Sequence, residues 1–240
     1  MLEAGAARRE IRRSLDEWAG EEGRAALWAA YRNEVAHVDQ AILRLLSRLD
    51  EEGWRERLVL FTSDHGEEFF DHGDFEHGHR LYQEVISVPL VIARWGGGRV
   101  PKGTVTRRVV GHIDIPATLL AAAGAADSSL PGQNILSDIA VVPYRTGNLL
   151  YGKAPDDRIS VREGRWKAIV GSGGPAELFD LNSDPGETRD LSHDQPGVVR
   201  LLGAHAAADG RAGSVPAVLD PSLRESLRAL GYLVDEPRPQ

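Results

Sequence analysis

Leu58-Val59-Leu60-Phe61-Thr62 runs without a break into Ser63-Asp64-His65-Gly66. The five apolar and β-branched residues carry no charge, the pattern of a strand covered on both faces. Just upstream, Val35, Val38, Ile42, Leu45, Leu46 and Leu49 recur at three- and four-residue intervals, which predicts a helix over Tyr31–Leu49 with one buried stripe. The charged stretch Asp50-Glu51-Glu52-Gly53 then stops that helix. A helix feeding a buried strand predicts an α/β sheet with parallel strands. Asp64 and His65 then sit at the carboxyl end of a strand, where open α/β sheets place ligands.

Outward from this stretch the local signals continue. Val88–Ala93 reads as a second strand, with Pro89 near its start, where a missing N–H is tolerated, and the turn Gly96-Gly97-Gly98 after it. Asp114 is placed to cap a helix that has Pro116 in its first turn and Gly124 at its end. Beyond Pro131-Gly132 come short β-like pieces at Arg158–Glu163, Arg165–Val170 and Glu177–Leu181, separated by turn residues, which predict a small antiparallel subdomain. Short helical stretches follow at Val198–Leu202 and Leu223–Leu230, then a polar, Pro-rich end from Asp235 to Gln240. Ile11, Leu15 and Trp18 predict a surface helix near the amino end. The expected organisation is a helical extension over 1–25, an α/β core over 26–140, the antiparallel subdomain over 141–192 and a helical or loose tail over 193–240.

Composition bounds the function. The 240 residues are 42% hydrophobic and 27% charged, the balance of a soluble globular chain. With 28 Lys and Arg against 36 Asp and Glu, the net charge of −8 and the lack of a long basic block argue against a nucleic-acid partner. No run of apolar residues is long enough to span a membrane, and Met1-Leu2-Glu3-Ala4 lacks the basic and apolar regions of a secretory signal, so no membrane segment is expected and the compartment stays open. With no cysteine there is no disulfide, no thiolate ligand and no cysteine nucleophile.

The chemistry gathers behind the first strand. An isolated Asp-His-Gly triplet is more often a turn cap than a metal site. Here, however, His65, His72, His77 and His79, four of the eight histidines, fall within fifteen residues alongside Glu67, Glu68, Asp71, Asp74 and Glu76. Such a loop can bind a metal or move protons. Most of its carboxylates, and His72, read as a solvated surface.

Phe61-Thr62-Ser63-Asp64-His65-Gly66-Glu67, His77-Gly78, Leu81-Tyr82-Gln83-Glu84 and Val88-Pro89-Leu90-Val91-Ile92, in this order and spacing, resemble the sulfatase family of the alkaline-phosphatase-like superfamily. Tyr31–Asp39 is similar to the family helix before the metal strand, and Ile113–Gly124 to its later helix. Val161–Lys167, Glu177–Leu181, Asp184-Pro185-Gly186-Glu187 and Leu230-Gly231-Tyr232 are similar to its carboxyl-terminal subdomain. The resemblance covers about residues 31 to 192 and implies a partial α/β/α sandwich with a mostly parallel sheet, followed by a small antiparallel β subdomain with a helix.

It also implies roles. Asp64 and His65 would bind one divalent cation, and His77, with His79 as runner-up, would contact the sulfate or protonate the leaving oxygen. Many sulfatases carry Asn where His65 stands, so the triplet is closer to the phosphonate monoester hydrolase branch. Calcium is the family expectation, whereas the imidazole points to Mn²⁺ or Zn²⁺ as alternatives. The family's formylglycine, made from Cys or Ser in a Cys/Ser-x-Pro-x-Arg motif, has no counterpart before Asp64; the nearest match, Val141–Arg145, follows the metal strand and offers no nucleophilic atom.

The implied function is hydrolysis of small-molecule or glycan sulfate esters by an arylsulfatase-like enzyme, of which this chain is a carboxyl-terminal piece, inactive alone, with the missing amino-terminal half as a candidate partner. Two other readings stay open: a phosphoric or phosphonic ester hydrolase of the same superfamily, and a non-catalytic remnant acting as a binding domain.

Overall fold

The structure is a computed structural model that describes residues 2–78, 80–96, 103, 105–137, 142, 144–147, 158–171 and 175–208. Gly97-Gly98, the Val141-Val142-Pro143 stretch apart from Val142, the expected helix at Leu223–Leu230, Leu230-Gly231-Tyr232 and the tail from Asp235 lie outside these residues. The chain divides into two compact units, one of Met1–His77, Glu84–Arg108 and Ile113–Ser137, the other of Gly78–Gln83, Val109–His112 and Asp138–Gln240.

In the first unit, α1 spans Leu2–Glu51, and the non-helical backbone of Gly20 (φ 53°, ψ −164°) divides it into two helical stretches. Only glycine takes that backbone conformation readily. The helix stops at Gly53 (φ 80°), where Trp54 N–H donates to Leu49 O at 3.0 Å and Gly53 N–H to Asp50 O at 3.1 Å. This is a glycine-terminated Schellman cap. Strand β1 is Arg57–Thr62, β2 is Glu68–Phe69, β3 is Phe75–Glu76, α2 is Gln83–Ile86, β4 is Leu90–Trp95 and α3 is Asp114–Ala122.

Three expectations for this unit change. First, β1 and β4 are neighbours but run antiparallel, with Phe61 opposite Val91 and Thr62 opposite Leu90. A parallel pair needs a crossover that carries the chain back to the start of its neighbour. Here the chain folds into the β2–β3 hairpin and the one-turn α2 and enters β4 at the end where β1 leaves.

Second, the apolar stripe of α1 and the faces of β1 are not fully covered. Ile42, Leu46 and Leu49 are half-buried, whereas Val35, Val38, Leu45, Phe61 and Val91 are exposed. A two-stranded sheet does not bury two faces by itself.

Third, Asp114 makes no cap: it lies in the first turn of α3, is buried, and accepts Gln133 N–H at 2.8 Å. The helix does end as expected, at Gly124 (φ 76°), with Ala125 N–H donating to Leu120 O.

The second unit holds an antiparallel sheet in the order β5-β6-β7-β8, with β5 Tyr144–Gly147, β6 Ile159–Glu163, β7 Trp166–Val170 and β8 Glu177–Asp180, and α4 at Pro196–Ala208. The three predicted strands are present. Because side chains alternate across a sheet, Val161, Ala168 and Leu178 share one face and pack with Leu202 and Ala206 of α4. Each large apolar side chain so buried contributes about 1.5–3 kcal/mol. Lys167 and Phe179 lie on the opposite face, where Phe179 meets the Tyr82 ring at 5.9 Å between centroids. Tyr82 Oη donates to Glu177 at 2.5 Å, and burial together with that carboxylate pushes the phenol above its ordinary range.

The turns after β8 are tied by two carboxylates. Burial works against ionisation of Asp180, but the Ser183 hydroxyl, the Asn182 amide and Arg165 outweigh it and hold its pKa below the usual range. Burial likewise opposes ionisation of Asp190, and bonds from Leu178 N–H and Ser192 outweigh it. A depressed folded pKa gives stability that is present above the unfolded value and is lost as pH falls through the folded one. Amide exchange in β7 and β8, corrected for intrinsic rates, is therefore expected to be protected at about pH 5 and to accelerate below about pH 4. Unchanged protection down to about pH 2 would show that these carboxylates contribute nothing.

Candidate functional site

Strand β1 ends at Thr62 and leads into Ser63–Glu67, with a bend at Asp64. Gly66 is required there by close approach: its N–H donates to Val85 O at 2.7 Å, and a Cβ on it would collide with the carbonyl oxygen of Glu84. Ser63 Oγ donates to His65 O at 2.7 Å, and Asp64 Oδ1 accepts His65 N–H at 3.0 Å. The backbone that carries Asp64 and His65 is thus fixed on both sides.

His65 Nδ1 lies 2.8 Å from Gly66 O. A carbonyl oxygen only accepts, so Nδ1 carries a proton, and in the neutral ring Nε2 keeps its lone pair. That Nε2 lies 3.8 Å from Asp64 Oδ2. With the ring neutral, two lone-pair donors face each other, and two metal–ligand bonds of about 2.0–2.2 Å span that separation. The donor set fits a divalent cation. Asp64 is exposed and His65 half-buried, so an ion and a ligand from solution can reach both.

His77 comes to the same place from the other side of the β2–β3 hairpin. Its ring stacks on that of His65, with centroids 3.9 Å apart and planes at 26°. Its Nδ1 lies 3.2 Å from Glu67 Oε1 and 3.4 Å from Glu67 Oε2. Asp64, His65 and His77 are therefore brought together, whereas His79 lies outside the described residues. The hairpin is braced on α1 by aromatic contacts: Phe69 meets Trp28 and Tyr31, each at 4.9 Å between centroids, and Phe70 stacks on Phe75.

Three features departed from the sequence reading. Glu67, one of five loop carboxylates of which most read as a solvated surface, faces His77. Glu68 is buried, and its Oε1 accepts Asp74 N–H at 3.1 Å. His72, taken as a surface residue, is half-buried, with Nδ1 2.6 Å from Glu84 Oε1. Glu68, His72 and Glu84 bring ligand atoms within 4.8 Å of one another, a second group whose composition suits a cation and whose bonds to one another and to Asp74 also serve to lock the loop.

A sequence model described as sulfatase matches residues 8–125. An uncharacterized sulfatase YidJ of Escherichia coli is 30% identical over 168 residues, covering 65% of this chain and 32% of the relative. A choline-sulfatase of Rhizobium meliloti is 29% identical over 209 residues, covering 82% of this chain and 39% of the relative. The chain thus spans only about a third of the length of the curated relatives it matches. Among solved structures, the phosphonate monoester hydrolase of Agrobacterium radiobacter shares the fold, with a TM-score of 0.60 at 22% identity over 79% of this chain and 42% of that one. The chain thus shares, in part, the fold of that hydrolase.

Proposed function

We propose, from the match of residues 8–125 to a sulfatase model, that the chain is the carboxyl-terminal, metal-holding part of a sulfate-ester hydrolase whose nucleophile lies in polypeptide outside it. The observation that carries this reading is the facing pair at the end of β1, His65 Nε2 and Asp64 Oδ2, 3.8 Å apart. In it Asp64 and His65 hold one divalent cation, calcium by family or Mn²⁺ or Zn²⁺ by ligand chemistry. When bound, such a cation polarises a non-bridging ester oxygen and offsets the charge of the nucleophile.

The chain's own side chains supply the rest. The Gly66 hydrogen bond to Val85 fixes the height of the loop, and the Gly66 carbonyl sets the His65 tautomer. His77 stands beside the Asp64–His65 donor pair, its Nδ1 on Glu67, suited to pass a proton from Nε2 to the departing alcohol oxygen. The substrate class is a small-molecule or glycan sulfate ester. The exposed apolar residues on α1, β1 and β4 support the missing amino-terminal half as the partner, since a complete α/β fold would cover them. A phosphoric or phosphonic ester substrate is the second reading, favoured by the imidazole of His65 at a position where many sulfatases carry an amide.

Asp64→Ala removes one of the two facing donors. Its affinity for Mn²⁺, measured by calorimetric titration of the chain, is expected to fall at least tenfold, about 1.4 kcal/mol or more. Unchanged affinity would refute the ligand assignment.

A further inference from the structure

We propose that Glu67 is a positioning residue for His77: it orients the ring, holds the proton on Nδ1 and leaves Nε2 for the ester. The proposal rests on the reading of His77 as the group that meets the leaving oxygen.

The geometry follows from two local facts. His65 and Glu67 stand two residues apart after β1, and both meet the His77 ring. In the β2–β3 hairpin Phe69 pairs with Phe75 and Glu68 with Glu76, and one step further the same register sets Glu67 opposite His77. The ring of His77 is therefore held on two sides: its face by the His65 ring at 3.9 Å, its Nδ1 edge by the Glu67 carboxylate at 3.2 and 3.4 Å.

An ionised carboxylate only accepts, so Nδ1 of His77 must carry the hydrogen. A free imidazole side chain favours the opposite, Nε2–H, form. Without Glu67 the ring loses the contact on its Nδ1 edge and is free to turn or change tautomer. Glu67 acts through His77, whose Nδ1 its carboxylate meets.

The test uses the whole chain, labelled with ¹⁵N, and long-range nitrogen–proton spectra recorded at about pH 9, where imidazoles are neutral. The His77 signals are identified by their loss in His77→Gln. In the native chain His77 is expected as the Nδ1–H form. Glu67→Ala is expected to convert it to Nε2–H, and Glu67→Gln, whose amide oxygen still accepts, to keep Nδ1–H.

The His72 signals, set by Glu84 on the far side of the loop, report whether the loop is folded in each variant. Should Glu67→Ala disturb His72 as well, the native chain and Glu67→Gln decide. An Nε2–H form in the native chain, or Nδ1–H retained in a folded Glu67→Ala, overturns the proposal. Addition of Mn²⁺ that leaves the His65 signals unchanged would instead overturn the metal reading while leaving the Glu67–His77 pair intact.

Discussion

Glu187→Ala is expected to destabilise the unit built on β5–β8 by about 3–5 kcal/mol. Lys167 Nζ lies 2.6 Å from Glu187 Oε1, and neither side chain is exposed. The other Glu187 oxygen accepts Gln83 N–H at 2.6 Å, and the Lys167 ammonium lies 5.9 Å from the centre of the Tyr82 ring. Truncating the acid leaves a buried ammonium without its counter-charge and frees the backbone of the Leu81–Gln83 segment.

The comparison that isolates the charge is the double variant Lys167→Met with Glu187→Leu. Replacing a buried pair by apolar side chains of similar volume is often neutral, so much of the lost stability should return. The readout is the midpoint of chemical denaturation. A loss under about 1 kcal/mol for Glu187→Ala would mean that solvent reaches the pair.

Gly66→Ala should cost about 3 kcal/mol, the upper range for overpacking, because the obstacle is backbone rather than a yielding side chain. The added methyl would strike the Glu84 carbonyl oxygen, with the Val85 Cα also within 3.4 Å. The loop would have to lift, breaking the Gly66 N–H bond to Val85 and moving Asp64 and His65 with it. Loss of stability and weaker Mn²⁺ binding are therefore expected together. Gly197→Ala, in α4 with open space around its Cβ, is the control and should be neutral or slightly stabilising. If both substitutions behave alike, the close approach at Gly66 does not constrain the loop.

The sequence announces what local chemistry controls. The run Leu58–Thr62 is a strand because nothing in it favours another state, and the turn residues between Arg158 and Leu181 separate three strands that pair in order. It does not announce direction: the apolar pattern of Val88–Ala93 is the same for a parallel and an antiparallel neighbour, and the fold of the chain between decides. Asp114 reads as a cap from its neighbours alone, but the group it serves, Gln133 N–H, is nineteen residues away.

The same limit governs the site. Asp64 and His65 are legible because strand and motif adjoin. The Glu67–His77 pairing depends on the register of two strands of two residues each, too short to leave a pattern. Lys167 alternates as a polar residue would on an open face, and its pairing with the distant Glu187 is what the local pattern does not reveal.

The most direct test of the account is the intact mass and peptide map of the protein isolated from its own cells. The account predicts a polypeptide much heavier than the 26.1 kDa of this chain, with a Cys/Ser-x-Pro-x-Arg segment upstream of the strand that ends at Asp64. A 26.1 kDa protein that begins at Met1, isolated with no nucleophile-bearing partner, would contradict it.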